Sequence, residues 1–487
     1  MQSRPHELPS QLAEIVFILL CASSQLLFAT FFGDVAILQT VLSERLHIAE
    51  PQLPWIQGAY TLANGLAVII SGSLADLTRP RWMINGSLLW LVFWNLVGGV
   101  SLLRRVAILF FVTRAMQGAA IGVLVSTSIS MLGRIYQPGR RKNIAFSSMA
   151  STAPLGFWVG AMQGGALASH SDWVFWSNAL VCAMLCACSW HYLPDLKASP
   201  VSTSGQVLSI KSFDFVGAGL ALAGSGCLVF GLTEGTPSGW APYSIVVAVL
   251  GVVMLAALGY IERKVARPLI PASLWRTPGF AWLTVAYALG IGSYLAWQFY
   301  ALRFFLTIQE ATPLTTALYV LPNAIVGVLA AAMVSRVFHI MPAHWLFVTS
   351  LVAFALGPVF FIPQTARTTY WALSMPGIAL VTLGPDLSFA AASIFVTSQV
   401  PRSYQGSAGS LLVTLQNISA AVLTSVSDAI GAAVTQKGSS GGDVVTGVDL
   451  AGLRAIWWFN FAAAICGAII CAIFVRIPKS EEKEHMT

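Results

Sequence analysis

The sequence predicts an all-α, polytopic membrane protein with fourteen transmembrane helices, arranged as two six-helix bundles plus two inserted helices. Three observations predict it. Of 487 residues, 56% are apolar and only 9% are charged, against about 25% charged in a soluble domain. Mean hydropathy is +0.76. A soluble chain of this length would divide into domains and cover each with charge. Fourteen membrane helices of about 20 residues take roughly 280 positions, close to the apolar supply. A cytosolic enzyme or a secreted module is excluded.

Apolar runs bounded by charge, proline or glycine give the spans in turn. Residues 12–38 form span 1, which Gly33-Asp34 interrupts; its length and the lack of a small-residue cleavage site set it apart from a cleavable leader. Span 2 (54–74) closes at Arg79, and span 3 (83–102) lies between Arg81 and Arg104-Arg105. Span 4 (106–132) ends at Arg134, and the basic loop Arg140-Arg141-Lys142 leads into span 5 (143–168). Span 6 (173–193) completes the first bundle, residues 1–193. The polar stretch Pro194 to Ser212 opens an inserted segment, 194–278, which carries spans 7 (213–234) and 8 (242–262). The second bundle, 279–487, holds spans 279–305, 313–335, 344–362, 370–398, 405–434 and 452–475, then a short cytoplasmic tail.

The net charge of +7 comes from 26 Lys+Arg over 19 Asp+Glu. It reads as topology: basic residues crowd alternate loops, which places both termini in the cytoplasm. No basic run exceeds Arg140-Arg141-Lys142, so nucleic acid is not an expected partner. The seven cysteines lie in apolar runs and make no loop pair, which argues against a disulfide framework. Cys182, Cys186 and Cys188 lack a carboxylate within the span, have His191 alone as a nearby histidine, and read as core packing rather than a metal site. No Walker lysine motif and no serine elbow is present, so ATP drive and enzyme chemistry are not expected. The sequons at Asn85 and Asn417 fall in or near spans and are not expected to carry sugar.

Two echoes suggest a repeat. The basic turn after span 2 has a counterpart after span 10, at Arg336 and His339. The loop into span 5 has one into span 13, Pro401 to Gly406. Spans 1–6 and 9–14 then form equivalent halves related as a parallel repeat.

Several residues carry chemistry. Asp76 and Arg81 can latch one helix end to its neighbour beside the small residue Gly72; an ordinary snorkelled charge cluster is the alternative. Arg114 lies about 12 Å inside span 4, where an unpaired guanidinium costs about 2.5–3.5 kcal/mol. It is expected to face a water-filled cavity or a carboxylate, as a coupling group or as half of a structural ion pair. In span 5, Gly156, Gly160 and Gly164 form a smooth stripe and Pro154 permits a kink, consistent with a gating helix or with close packing alone. Asp34, Asp386 and Asp428 are intramembrane acids able to take up and release protons as their surroundings alternate between wet and dry. Gln25, Gln117, Asn323, Gln416 and Asn417 are candidates for a polar pathway or for interhelical hydrogen bonds.

Gly72-Ser73-Leu74-Ala75-Asp76 with Arg81 resembles the span 2–3 signature of the major facilitator superfamily, although Arg79 replaces the second glycine and Pro80 a basic residue. Arg114-Ala115-Met116-Gln117-Gly118, with Gly122 in register, resembles its span-4 motif. The glycine stripe resembles its antiporter motif, with Ala153-Pro154 where a Gly-Pro pair is usual. Phe213 to Gly217, Leu232 to Gly235, Gly239-Trp240 and Pro268 to Ile270 resemble the insert of the fourteen-span drug:proton antiporters. Gly384 to Ala429 looks like fungal members of the aminotriazole-resistance type. The resemblance implies a monomeric, proton-coupled exporter of small toxic compounds or secondary metabolites at the plasma membrane. Its partners would be a small-molecule substrate, protons and the lipid bilayer, with no cofactor beyond the proton gradient. A proton-coupled importer or facilitator of a small nutrient stays open on the same fold. A membrane enzyme or sensor would show no flux.

Overall fold

The computed structural model describes residues 8, 10–49, 52–75, 78–136, 140–196, 213–236, 238–265, 268–270, 272–337, 343–400, 405–438 and 448–476. The first half contains α1 (Gln11–Ile37), the short α2 (Gln39–Leu46), α3 (Pro54–Ala75), α4 (Pro80–Arg104), α5 (Ala107–Ile135), α6 (Arg140–Ala166) and α7 (Ser171–Tyr192). Next come α8 (Phe215–Gly235), α9 (Pro242–Ile261) and the short α10 (Ala272–Arg276). The second half begins with α11 (Phe280–Arg303), which runs into a π-helical turn at Phe304–Ile308, then α12 (Pro313–Tyr319), α13 (Leu321–Val337) and α14 (Ala343–Phe361). A second π turn, Tyr370–Ser374, precedes α15 (Met375–Val381), α16 (Leu383–Gln399), α17 (Gln405–Gly438) and α18 (Leu450–Phe474). No strand occurs among the described residues.

Local chemistry sets several helix starts. Ser10, Asp214 and Asp449 accept from the amides of Ala13, Gly217 and Gly452, which satisfies donors that a helix start leaves unpaired. Pro80, Pro242 and Pro313 occupy first turns, where no amide hydrogen is needed.

Each predicted span falls on one helix or on abutting pieces; span 10 covers α12 and α13, and span 12 covers the second π turn with α15 and α16. Among the described residues, twelve helical segments are long and apolar enough to cross a membrane. The helices α3 and α6 are outside that twelve. Both are flanked by other helices, α3 by α5, α8 and α17, and α6 by α1, α12 and α13. A helix sheltered by protein needs less apolar surface of its own. Elsewhere the outside is apolar: Leu89, Phe93, Leu96, Val100 and Leu103 form an exposed stripe on α4, and α9 exposes Ile245, Val246, Val249, Leu250 and Val253. Bare apolar surface on this scale calls for a covering of acyl chains. Trp82, Trp173, Trp190 and Trp345 stand exposed near helix ends, as interfacial anchors do.

The two halves repeat their packing. In the first, α1 packs on α6, α3 on α5 and α4 on α7; in the second, α11 packs on α17, α13 on α16 and α14 on α18. Those pairs correspond if α1 matches α11, α3 matches α13, and so on through α7 and α18. The halves meet along two seams, α3 with α17 and α6 with α13, and the same correspondence exchanges one seam for the other. The inserted α8 lies across the first seam, touching both α3 and α17. Thr233 and Ser425 share a hydrogen bond of 2.7 Å there, and Phe230 packs on Trp55.

Glycine makes the tightest pairs possible. A Cβ on Gly156, Gly160 or Gly164 of α6 would overlap the backbone carbonyl of Leu26, Thr30 or Asp34 of α1 in turn. On α5, Gly118 and Gly122 meet the carbonyls of Tyr60 and Asn64 of α3 in the same way.

Candidate functional site

Polar side chains buried in an apolar bundle must find partners within it, and in the first half they converge. Arg114 of α5 is 1% exposed. Its Nη2 donates to the Phe31 carbonyl at 2.8 Å, its Nε to the Ile56 carbonyl at 3.3 Å, and its Nη1 to Gln117 Oε1 at 2.9 Å. The guanidinium carbon lies 4.4 Å from the centre of the Tyr60 ring, a favourable cation–π geometry. Gln117 donates onward to Asn95 Oδ1 at 2.8 Å.

Asp34 lies near enough to act electrostatically on Arg114, yet the guanidinium's hydrogen bonds go to carbonyl and amide oxygens. Asp34 Oδ2 accepts from Asn178 Nδ2 at 2.7 Å, and Asn178 Oδ1 accepts from Gln163 Nε2 at 2.9 Å. The other carboxylate oxygen, Oδ1, is buried without a hydrogen-bond partner. The cluster thus draws on α1, α3, α4, α5, α6 and α7. Arg114 faces neither lipid nor open water, and the expected carboxylate is a neighbour rather than a direct partner.

The second half gathers a smaller cluster. Helix regularity breaks between α15 and α16 at Thr382, and Asp386 follows in the first turn of α16. Asn323 of α13 donates to Tyr294 Oη at 3.2 Å and to Thr382 Oγ1 at 3.1 Å. Gln298 donates to the same Tyr294 oxygen at 3.3 Å. Asp386 lies within electrostatic range of Tyr294, and its Oδ2 is buried without a hydrogen-bond partner. Asp428 is buried on α17 and accepts from Tyr300 Oη at 2.9 Å. Gln416 Oε1 accepts from Tyr287 at 3.1 Å.

Other candidates sit on the seams. Asn417 donates back to the Val413 carbonyl at 2.8 Å, and its Cβ lies against Gly65 of α3. Thr414 donates to the Gly65 carbonyl at 2.7 Å. Gly72 stands beside Ser126 and Ser410, and Pro154 packs on Gly327 of α13. Gln25 is half-buried on α1. The cavity at the α3–α17 seam, bordered by Gln57, Thr61, Thr233 and Ser425, is only about 20 Å³, so this seam is closed.

A profile of the Major Facilitator Superfamily matches residues 19–424. The chain belongs to the Major Facilitator Superfamily. It is a multi-pass membrane transporter rather than an enzyme, and the superfamily implies a small-molecule substrate. Among curated relatives, the low affinity ammonium transporter of Saccharomyces cerevisiae is 28% identical over 90% of this chain and 83% of its own. The efflux pump terJ of Aspergillus terreus is 28% identical, covering 95% and 88%, and the aminotriazole resistance protein of Saccharomyces cerevisiae is 27% identical, covering 95% and 85%. The crystal structure of a peptide transporter, POT, in complex with sulfate superposes with a TM-score of 0.69 at 16% identity over 96% of each chain, which concerns the fold alone.

Two expectations meet different ground. Asp76 of the superfamily-like latch lies outside the described residues, while Arg81 donates to the Trp190 carbonyl at the end of α7 and faces that residue's ring. Its observed grip is therefore on α7. Core packing holds for Cys182 and Cys186 but not for Cys188, which is exposed; a thiol is apolar enough to face acyl chains. Sequence reasoning also missed Asn95, Asn178, Gln163 and Tyr294. Asn95 and Asn178 are isolated amides within apolar runs, and that isolation was the available signal.

Proposed function

We propose that the chain crosses the membrane fourteen times, with both termini in the cytoplasm, as lobes 1–193 and 279–487 joined through the insert 194–278. In this reading it is a monomeric, proton-coupled exporter of small toxic compounds or secondary metabolites at the plasma membrane, working by alternating access. One observation carries the coupling: each lobe holds a carboxylate, Asp34 or Asp386, with a buried oxygen that has no hydrogen-bond partner. A buried charge that is incompletely satisfied is costly, and a proton arriving from a transient water path relieves that cost. Arg114 sets the field at Asp34, and Asp428, tied to Tyr300, is a second carrier in the C-terminal lobe.

Gating follows from the same packing. The glycine faces of α6 and α5 let helices shift against carbonyl backbones without side chains to unlock. Pro154 against Gly327, and Gly72 beside Ser410, are the seam contacts that would part, with Asp76 and Arg81 at the inner end. Substrate would pass Gln25, Gln117, Asn323, Gln416 and Asn417. The drive is adequate, at about 2.3 kcal/mol per charge per 100 mV and about 1.4 kcal/mol per pH unit.

Efflux and resistance relatives support export. The ammonium transporter relative favours a second reading, uptake of a small nutrient. A proteoliposome flux screen with an imposed pH gradient decides between them. Gradient-driven flux of a substrate opposite to the protons is expected for wild type, falling at least tenfold in Asp386→Asn. Equal flux in both would remove Asp386 from coupling, and co-directional flux would favour uptake. Arg114→Ala is expected to abolish flux with normal membrane insertion; retained flux would make Arg114 structural only.

A further inference from the structure

A cavity of about 710 Å³ opens in the C-terminal half where α11 stops and α12 begins. The proposed topology puts it on the extracellular side, and no residue assigned above to coupling, gating or the pathway lines it. Its volume lies within the range of about 300–1,000 Å³ usual for small-molecule pockets.

Three helix interruptions border this cavity. The π turn Phe304–Ile308 leads directly to its lining residue Gln309. The π turn Tyr370–Ser374 supplies Tyr370 and Trp371. The break between α12 and α13 places Tyr319 and Leu321 on its wall. Between the lining residues Gln309 and Ala311, Glu310 holds a φ of 52°, a conformation costly for a residue with a side chain. π turns concentrate at functional sites; here one supplies lining residues and the other ends beside Gln309.

The wall is aromatic. Tyr319 and Tyr370 stack at 4.2 Å with planes 10° apart, pinned by a 2.7 Å hydrogen bond from Tyr370 Oη to the Tyr319 carbonyl. Trp371 sits edge-on to Tyr370 at 5.3 Å and is 74% exposed. Gln309, Thr315, Thr368 and Thr369 add amide and hydroxyl groups, and no charged side chain is among the lining residues.

We propose that this cavity is a second small-molecule site, separate from the central pathway, for an uncharged planar aromatic compound bearing hydrogen-bonding substituents. Ring faces on the wall match a flat π system, the threonines and Gln309 match its substituents, and a formal charge would find no counter-ion in the lining. The location outside the cell rests on the proposed topology; binding itself needs neither a gradient nor flux.

The test uses the full chain in lipid nanodiscs, with 7-methoxycoumarin titrated by fluorescence anisotropy against empty nanodiscs. Saturable binding above the lipid baseline is expected. Trp371→Ala should weaken it roughly tenfold, equivalent to about 1.4 kcal/mol, while Trp371→Phe keeps a ring and stays within about threefold. Trp371 is exposed, so neither change threatens the fold. Partition into lipid alone, or affinity unchanged in both Trp371→Ala and Tyr319→Ala, overturns the proposal. Because the readout is binding, it stands or falls apart from the export reading.

Discussion

Arg114 keeps a full charge inside the bundle because its donors end on two backbone carbonyls and one amide oxygen, with a tyrosine face beneath the guanidinium. A lysine could not reproduce that fork of donors. Glu262, just past the C-terminal end of α9, solves a similar problem with an acid. Its two oxygens accept from the Leu269 and Ile270 amides, each at 3.0 Å. Burial pushes its pKa up to about 7, and the nearby Asp214 carboxylate adds to the rise. The folded-state pKa lies above the ordinary glutamate value of 4.5, so the associated stability is fully present below that value and is lost as pH rises through about 7. The thermal midpoint of the purified chain should therefore fall as pH rises from 4.5 to about 7, by on the order of 2 °C. Glu262→Gln should flatten that part of the profile; an identical slope in the variant would assign the pH dependence elsewhere.

Helices pair here according to which face is smooth. The α1–α6 contact repeats every four residues on both partners, Leu26, Thr30 and Asp34 against Gly156, Gly160 and Gly164, because residues four apart share one face of an α-helix. The opposing atoms are backbone and cannot rotate away. Gly160→Val should cost about 3 kcal/mol or more and lower both the thermal midpoint and the yield of folded protein. Gly86 of α4 has nothing within 4 Å of an added Cβ, so Gly86→Ala should stabilise by about 0.5–1 kcal/mol through helix propensity. Equal effects at the two sites would show that the packing contrast does not govern stability.

Across the whole molecule, two equivalent seams are made unequal by the insert: among the described residues, α8 packs on both α3 and α17, while α6 and α13 are not among its main neighbours. Whether α3 and α6 cross the bilayer fixes the sidedness of every later loop. With each helix crossing once, Arg104→Cys and His170→Cys should react from outside intact cells with a membrane-impermeant maleimide, in a background lacking the native cysteines. Asp195→Cys should react only after permeabilisation. Labelling of Arg104→Cys from the inside alone would mean that α3 does not cross.

The positions of the apolar helical segments were legible in the sequence, because bilayer thickness imposes a local length and composition on each one. So was the placement of Arg114 inside a long apolar helix. The glycine stripe announced a close contact without naming its partner. That partner, α1, emerged only when the chain folded, as did the acceptors of Arg114, which are carbonyls of Phe31 and Ile56 and leave no residue-type signature. The orphaned oxygens of Asp34 and Asp386 and the cavity built from Gln309, Tyr319 and Tyr370 were likewise decided by tertiary structure. Periodicity and hydropathy are properties of neighbours along the chain, whereas a partner is chosen by packing between segments far apart in sequence.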